Sequence, residues 1–484
     1  MRKESGLSYK WMVLLIASIG SLMGPLDSTI VSVSMPAISD ALQMDYAQTL
    51  WVPTAYLVAI ASILLIVGRV SDIIGKKKIY IGGFAIFAVG SLLCSLAQTG
   101  EQLIVFRVLQ GIGAAFIMTS GTALVSAAFP PREQGRALGL NVMAIYLGLA
   151  IGPPLGGVLT QSFGWHSIFL VSVPIAVVTI ALALWKLDEC ELVDRCGSFD
   201  IGGAATFAVG LVTILLALTL GDIDGWLSLK VIGLLIISAV SFALFILIER
   251  KKGEDGLFDL RLFTKNRLFA AANFSAFLNY TAYYGSTFVI SFYLQRVLGI
   301  DIGTTGLILL AMPLIMCVIS PLSGILSDKV GSRTLSSLGM LIMAAGLFLI
   351  STLNTETSVS MVVVYLLILG AGMGIFSSPN TSAVMRSVSK DKTGVASGML
   401  STMRTVGQSL SLVLMGAVMA IVTSSALVSS VFMGGSSAVD NAEFIVGMSA
   451  ALKVSGLIAL LGALTSTLRG KTELEEECEV AFSK

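Results

Sequence analysis

Charged residues are scarce in this sequence, and their scarcity excludes most soluble folds. Only 12% of the 484 residues are Asp, Glu, Lys or Arg, and 55% are hydrophobic, whereas a soluble domain carries about a quarter charged residues. The 30 basic residues nearly balance the 29 acidic ones, so no basic surface for nucleic acid is predicted. The class that remains is a membrane protein that crosses the bilayer many times.

Residues and motifs that support enzymatic chemistry are also rare. His166 is the single histidine, so we predict neither a haem nor a histidine-based metal cluster. The five cysteines lack metal-ligand spacing, and no structural disulfide is expected. No Gly-x-x-x-x-Gly-Lys-Ser/Thr fingerprint for ATP occurs. We therefore expect no catalytic residue, no metal and no cofactor, and any driving force must come from a gradient.

Long apolar runs make up most of the chain. A bilayer core of roughly 30 Å requires about 20 residues of helix, and helices satisfy their own backbone polar groups in lipid. We predict an all-α polytopic membrane protein with 14 transmembrane helices. The predicted spans are 12–35, 47–67, 78–98, 102–128, 136–160, 167–185, 201–220, 229–248, 268–294, 303–326, 334–352, 359–385, 393–422 and 447–468.

The positions of lysine and arginine predict the orientation. An even number of spans places both termini on one side. If that side is the cytoplasm, few basic residues lie elsewhere, as the positive-inside rule requires. The exceptions are Arg107 and Arg404 within spans, and Lys230, Arg296 and Lys453 at the outer face. We expect a multi-pass protein of the cell (plasma) membrane with both termini in the cytoplasm, functional as a monomer in the lipid bilayer.

Two cytoplasmic loops repeat each other. Gly68-Arg-Val-Ser-Asp72-Ile-Ile-Gly75 and Gly324-Ile-Leu-Ser-Asp328-Lys-Val-Gly331 align in register, 256 residues apart. We therefore predict two pseudo-symmetric six-helix bundles, at 1–190 and at 255–484, the second with an acidic cytoplasmic tail. An inserted two-helix segment at 191–254, without buried charge, separates them. Parallel repeats of six helices around a midplane site are a transporter architecture.

Four motifs carry a family resemblance. They are Leu26-Asp27-Ser28-Thr29-Ile30-Val31 with Pro36, Gly68-x-x-x-Asp72-x-x-Gly75-Lys76, Arg107-Val-Leu-Gln110-Gly111 and Gly148-x-x-x-Gly152-Pro153-x-x-Gly156-Gly157. The chain resembles the major facilitator superfamily, and the last motif matches that of its drug:proton antiporters at every fixed position. Trp51-x-x-x-x-Tyr56 resembles a motif of the branch of this superfamily that has fourteen helices. Ile73, Ser32 and His166-Ser167 depart from the usual patterns.

Three residues are predicted to couple proton movement to transport. Asp27 is the only carboxylate well inside a span of the first half, and an intramembrane carboxylate is by default a functional candidate. Arg107 lies at a similar depth and could pair with it, with Gln110 in the same network. The resemblance assigns the Arg107 motif to proton coupling. The alternatives are a packing hydrogen bond for Asp27 and an interfacial position for Arg107.

The substrate site is predicted around Arg404, near the middle of its span. The later spans hold no central Asp or Glu, so Arg404 would meet either the substrate or only backbone carbonyls and Gln408. Aromatic side chains could line the same site and stack on planar compounds, although at helical spacing they could equally serve packing. These are Tyr146, Tyr280, Tyr283, Tyr284 and Phe288.

Two further motifs are predicted to control the change of conformation. The first is a cytoplasmic latch, in which a carboxylate contacts the positive N-terminal end of another helix. Its residues are Gly68, Asp72, Gly75 and Lys76, with Asp328 as the equivalent of Asp72 in the second half. The alternative is that these side chains are simply solvated and that the lysine only helps to set the membrane topology. The antiporter motif of Gly148, Gly152, Pro153, Gly156 and Gly157 would bring helices close together and seal the halves against proton leak, or would be a kink that faces lipid.

The sequence therefore predicts a proton-coupled antiporter that exports amphipathic small molecules, such as drugs or toxic compounds, by alternating access. The alternative is an exporter of a specific anionic or zwitterionic metabolite, because Arg404 has no obvious acidic partner. A channel or membrane enzyme is a third class, against which the repeat and the antiporter motif argue. The expected partners are a small-molecule substrate and the bilayer.

Overall fold

The structure, a computed structural model, describes residues 6–188, 200–253, 260–388, 393–423 and 438–469, and these are almost entirely helical. The helices are α1 Gly6–Leu42, α2 Tyr46–Ile74, α3 Lys76–Ser95, α4 Gly100–Ala128, α5 Pro131–Phe163, α6 His166–Leu170, α7 Ser172–Lys186, α8 Ile201–Asp224, α9 Leu229–Lys252, α10 Leu260–Lys265, α11 Arg267–Phe292, α12 Ile302–Leu309, α13 Ala311–Val330, α14 Ser332–Ile350, α15 Val359–Arg386, α16 Thr393–Val422 and α17 Ala438–Thr467. A π-helical turn, Tyr293–Val297, follows α11.

Thirteen described helical segments are long and apolar enough to cross a membrane, so the protein is a multi-pass membrane protein. Two of these crossings are each built from two helices, α6 with α7 and α12 with α13. The predicted ninth span corresponds to α11, which has 26 residues but lies outside that set of thirteen. Polar residues explain the difference, since α11 buries Asn273, Asn279 and four Ser or Thr side chains.

Short polar side chains start several of the helices. Asp45 accepts a hydrogen bond of 2.7 Å from the backbone N–H of Gln48 and forms a capping box with it at the start of α2. Asp301 caps α12 in the same way through Thr304. Hydrogen bonds from Thr304 hold the pKa of the exposed Asp301 carboxyl below its usual range. Capping satisfies N–H groups that a helix leaves without partners.

The helices form an N-terminal group, α1–α7, and a C-terminal group, α11–α17. Equivalent contacts recur in both groups. A Cβ on Gly113 of α4 would lie 2.5 Å from the backbone nitrogen of Phe87 in α3, and Gly372 of α15 approaches Met343 of α14 in the same manner. The echoed loops also match, because Gly75 and Gly331 have φ of 110° and 90°, a region that favours glycine.

The inserted helices α8 and α9 pack on each other, and α8 also packs on α2 and α16. They therefore lie across the junction between the two groups. The prediction that this segment lacks buried charge is wrong. Asp200 and Glu249 are 3% and 1% exposed, and Lys252 Nζ lies 3.0 Å from Asp200 Oδ1. Burial of Asp200 is possible because Lys252 and the Gly203 N–H stabilise its carboxylate.

Candidate functional site

Asp27, Arg107 and Gln110 meet in the interior of the N-terminal group. The Arg107 Nη1 atom lies 2.5 Å from Asp27 Oδ2 and 2.6 Å from Gln110 Oε1. The Gln110 amide donates a hydrogen bond of 2.8 Å to Asp27 Oδ1. Arg107 is 0% exposed and Asp27 is 2% exposed, so this ion pair exists with almost no contribution from solvent. Removal of one partner would leave an uncompensated buried charge.

Residues from two more helices complete this network, and sequence reasoning missed them. The Ser91 hydroxyl accepts from the Gln110 amide at 2.7 Å. The Tyr56 ring lies against the guanidinium of Arg107, with 4.1 Å between the ring centroid and Cζ, a geometry typical of cation–π contacts. Tyr56 belongs to the Trp51-x-x-x-x-Tyr56 motif, which was the available signal. No motif marked Ser91.

A second cluster, the tyrosine–arginine site, consists of Tyr146, Tyr280, Tyr284 and Arg404. The Arg404 Nη2 atom donates a hydrogen bond of 2.6 Å to Thr381 Oγ1, and its Cζ lies 5.7 Å from the centroid of the Tyr280 ring. These four side chains are partly buried. The sequence predicted them together, and the structure places them on α5, α11 and α16, around α15.

Two hydroxyl contacts in this cluster connect the N-terminal and C-terminal helix groups. Tyr284 of α11 hydrogen-bonds to Ser28, the residue after Asp27. Tyr146 of α5 and Ser377 of α15 share a hydrogen bond of 2.7 Å. Ser377 lies one helical turn from Thr381, which holds Arg404. The network of Asp27, Arg107 and Gln110 and the tyrosine–arginine site are therefore separated by a few side chains.

Two residues predicted for the substrate site, Phe288 and Gln408, do not belong to the tyrosine–arginine site. Phe288 is 1% exposed and packs on Phe292, with 5.2 Å between ring centroids, so the structure places it in the hydrophobic core. Gln408 lies one turn after Arg404 on α16 and is partly buried. No described contact connects Gln408 to the guanidinium of Arg404.

The glycines of the antiporter motif make two different contacts. Gly148, Gly152 and Gly156 face α1, and a Cβ at Gly148 would lie 2.5 Å from the Leu22 carbonyl oxygen. Gly157 instead faces the C-terminal group, where a Cβ would lie 2.6 Å from the carbonyl oxygen of Ile302. Pro153 also lies on this side, since its carbonyl contacts Gly306 of α12. The motif thus joins α5 to both α1 and α12.

The predicted latch lies largely outside the described side chains. Those of Gly68, Asp72 and Asp328 are not among them, and neither is the start of α16, the predicted partner. Gly75 forms the turn between α2 and α3, where its N–H donates to the Ser71 carbonyl oxygen at 3.1 Å. Lys76 is the first residue of α3. The latch remains a prediction.

Most of the chain matches the model of a known protein family. The model described as Major Facilitator Superfamily matches residues 17–412. The chain belongs to this superfamily. It is also 33% identical over 405 residues to the riboflavin transporter RibZ of Clostridioides difficile, a match that covers 84% of this chain and 87% of that protein. This major facilitator protein is accordingly a transporter and not an enzyme.

Other relatives of this major facilitator protein are named for drug transport. It is 31% identical over 420 residues to the multidrug transporter protein MdtP of Bacillus subtilis, covering 87% of this chain and 77% of that one. A solved structure, titled as a bacterial homolog of the human lysosomal transporter Spinster in an inward-facing and unoccupied conformation, superposes with a TM-score of 0.67 at 16% identity. It covers 97% of this chain and 98% of that chain, and it supports the fold alone.

Contacts between the two groups of this major facilitator protein are numerous at one end of the bundle, the α1–α2 end, where Leu42 and Tyr46 lie. Arg296, in the π-helical turn, pairs with Asp40 and donates to the Pro36 carbonyl oxygen at 3.1 Å. The neighbouring Gln295 donates to the Val33 carbonyl oxygen at 2.9 Å. We call these contacts the α1–α11 seam. The sequence placed Arg296 at the outer face of the membrane but gave no indication that Asp40 is its partner.

One further buried arginine was missed at the opposite end. Arg469, just after α17, is 2% exposed. It donates to Ser336 Oγ at 3.1 Å and to the side-chain oxygen of Asn380, so it joins α17 to α14 and α15. Sequence reasoning had counted it among the cytoplasmic topology signals, because a basic residue just beyond a span usually has that role.

Proposed function

We propose that this transporter is a proton-coupled antiporter that exports amphipathic small molecules by alternating access. The observation that carries the proposal is the buried ion pair of Asp27 and Arg107, bridged by Gln110. Asp27 is the group of this network that can gain and lose a proton, since an arginine stays protonated. The drug-transport names of several relatives favour an exporter.

The proposed cycle follows from the charges. Protonation of Asp27 removes its negative charge and weakens its attraction to Arg107, whose guanidinium keeps Gln110 and the Val52 carbonyl oxygen as acceptors. Ser28, next to Asp27, then transmits the change to Tyr284 in the C-terminal group. Substrate leaves outward as the proton enters, and loss of the proton restores the ion pair. No cofactor is needed, because the proton gradient supplies the free energy.

The topology follows from the same proposal. The protein belongs to the fourteen-helix drug:proton antiporter branch, with α11 as the fourteenth crossing and two six-helix bundles related by pseudo-symmetry. A polar helix such as α11 can cross the bilayer because protein surrounds it, as its 17 buried residues indicate. The α1–α2 end faces outward, both termini lie in the cytoplasm, and a monomer in the plasma membrane suffices.

The decisive test is transport in proteoliposomes with an imposed pH gradient. We expect wild type to accumulate a transported dye against its gradient and to lose that ability with an uncoupler. Asp27→Asn should abolish uphill accumulation, while equilibrium exchange of the dye continues. Asp301→Asn is the matched control, because Asn also caps helices and Asp301 is exposed. Uphill transport that ignores the pH gradient or survives Asp27→Asn would refute proton coupling.

A further inference from the structure

Arg404 has a charge that the described protein does not neutralise. It forms no ion pair with any residue in the described parts of the chain, and its Nε atom is buried there without a hydrogen-bond acceptor. Its described polar partner is the neutral Thr381 hydroxyl. By contrast, the charge of Arg107 is matched by Asp27 at 2.5 Å. Among the described residues, the tyrosine–arginine site therefore carries a positive charge without an acidic partner.

The surroundings of Arg404 are aromatic and hydroxyl-bearing. Tyr280 lies against its guanidinium, and the Tyr280 ring in turn packs edge-on against Tyr283, with 5.6 Å between centroids. Tyr284 follows next, 6.2 Å from Tyr283. Rings of this kind offer flat apolar faces to a planar compound. They offer no negative charge.

An unmatched cation in a membrane interior favours a negatively charged partner. Charge burial away from water is costly unless an opposite charge or several acceptors compensate it. A planar guanidinium with free N–H groups suits a carboxylate or similar acid, which can accept two hydrogen bonds side by side. A permanent cation would instead meet repulsion from Arg404, and the Asp27 carboxylate is already held by Arg107.

We propose that Arg404 is the substrate-recognition residue and that the substrates are planar aromatic acids. The acidic group would pair with the Arg404 guanidinium, and the ring would lie against Tyr280 and Tyr284. This inference rests on the proposed function, because it takes the bound acid to be the compound that the protein exports. It does not depend on Asp27 being the proton carrier, so the two proposals can fail separately.

Two dyes with the same xanthene ring and opposite charge provide the test. We would measure binding of fluorescein, an anion at slightly alkaline pH, and of tetramethylrhodamine methyl ester, a cation, to the full-length protein in lipid nanodiscs by fluorescence anisotropy. Wild type should bind fluorescein more tightly. Arg404→Gln should weaken fluorescein binding roughly tenfold or more, as expected for loss of a charged hydrogen bond, and should not weaken binding of the cation.

Matched variants separate charge recognition from damage to the fold. Arg404→Lys keeps the charge but not the fork of N–H groups, so the preference for fluorescein should persist at reduced affinity. Lys453→Gln removes the same charge from an exposed position on α17 and should change neither affinity. If Arg404→Gln does not fold, Thr381→Val, which releases the guanidinium, should still lower fluorescein affinity selectively.

Several outcomes would overturn the proposal. These are absence of fluorescein binding to wild type, a preference for the cationic dye, or fluorescein affinity unchanged in both Arg404→Gln and Thr381→Val. Asp27→Asn should bind fluorescein as wild type does, because Arg404 is distinct from the Asp27–Arg107 pair. Uphill transport that persists in Asp27→Asn, together with an unchanged dye preference, would thus contradict the coupling proposal alone.

Discussion

At the scale of single residues, Gln110 is the junction of the buried network that we propose couples proton movement to transport. Its side chain accepts a hydrogen bond from Arg107 and donates hydrogen bonds to both Asp27 and Ser91. Because the residue is buried, no water is at hand to replace these hydrogen bonds. Gln110→Leu should therefore lower the free energy of unfolding by about 1–3 kcal/mol, the usual cost of buried polar groups left without partners. Reversible unfolding in mixed micelles would measure this loss.

Ser91→Ala provides the comparison. It removes an acceptor at the edge of the network and leaves the Asp27–Arg107 pair with Gln110 intact, so its effect should be the smaller of the two. Equal stability of Gln110→Leu and wild type would mean that water replaces the amide, and that this interior is wetter than its burial indicates.

The hydrogen bond between Ser28 and Tyr284 is the shortest described route from the coupling network to the tyrosine–arginine site. Tyr284→Phe removes only the hydroxyl. We expect the variant to fold and to bind dye as wild type does, but to lose at least half of its uphill transport rate. Tyr283→Phe is the matched control on the same helix, since no described hydrogen bond uses its hydroxyl. An equal effect of both substitutions would exclude a specific role for the Ser28 contact.

Residue types explain which site residues could be predicted. Asp27 and Arg107 stand out because charge inside a span is rare, and their similar depth in the membrane suggested a pairing that the structure satisfies geometrically. Ser91 and Tyr56 belong to types that are common in membrane helices. A motif contains Tyr56 and none contains Ser91, but only the packing of α2 and α3 against α4 shows that both reach this network. An acidic partner of Arg404 could not be found in the sequence, and none is found among the described residues either.

At the scale of helices, the antiporter motif sets how closely α5 approaches its neighbours. Gly148 faces backbone atoms of α1, with the Leu22 carbonyl oxygen 2.5 Å from where a Cβ would lie. Because backbone cannot give way like a flexible side chain, Gly148→Ala should cost about 1–3 kcal/mol of stability. Thermal unfolding followed by circular dichroism would measure it.

Gly82→Ala in α3 tests the same substitution without the contact, because nothing lies within 4 Å of a Cβ there. It should be neutral or stabilise the helix by up to about 1 kcal/mol. If both substitutions had the same effect, helix propensity rather than close packing would explain the glycines of α5.

Span positions were largely predictable because apolar runs of about 20 residues have few other uses. The exceptions have physical causes. The polar α11 is surrounded by other helices rather than by lipid, so its hydropathy is lower than that of a lipid-facing span. The buried Asp200 depends on Lys252 from the other end of the inserted pair, and a pairing of that kind requires the two helices to be docked.

At the scale of the whole molecule, the α1–α11 seam closes the α1–α2 end. Arg296 is 17% exposed and Asp40 is 43% exposed in their side chains, so solvent weakens this ion pair and its own contribution is small. Its position matters more than its strength, because it joins the two helix groups that would separate at this end in the proposed alternating-access cycle. Small changes there can shift the balance between two conformations.

Charge exchange tests this role of the seam. Arg296→Glu places like charges face to face and should open the α1–α2 end, seen as a longer and broader distance between spin labels at positions 163 and 359 in a cysteine-free background. Asp40→Arg combined with Arg296→Glu should return the distance most of the way, since attraction is restored with reversed polarity. Arg250→Glu, an exposed reversal on α9, should leave the distance unchanged. If Arg296→Glu kept the wild-type distance, backbone packing of α5 on α12 would be sufficient to hold this end closed. If the double variant stayed as open as the single one, attraction between these two side chains would not be what closes the seam.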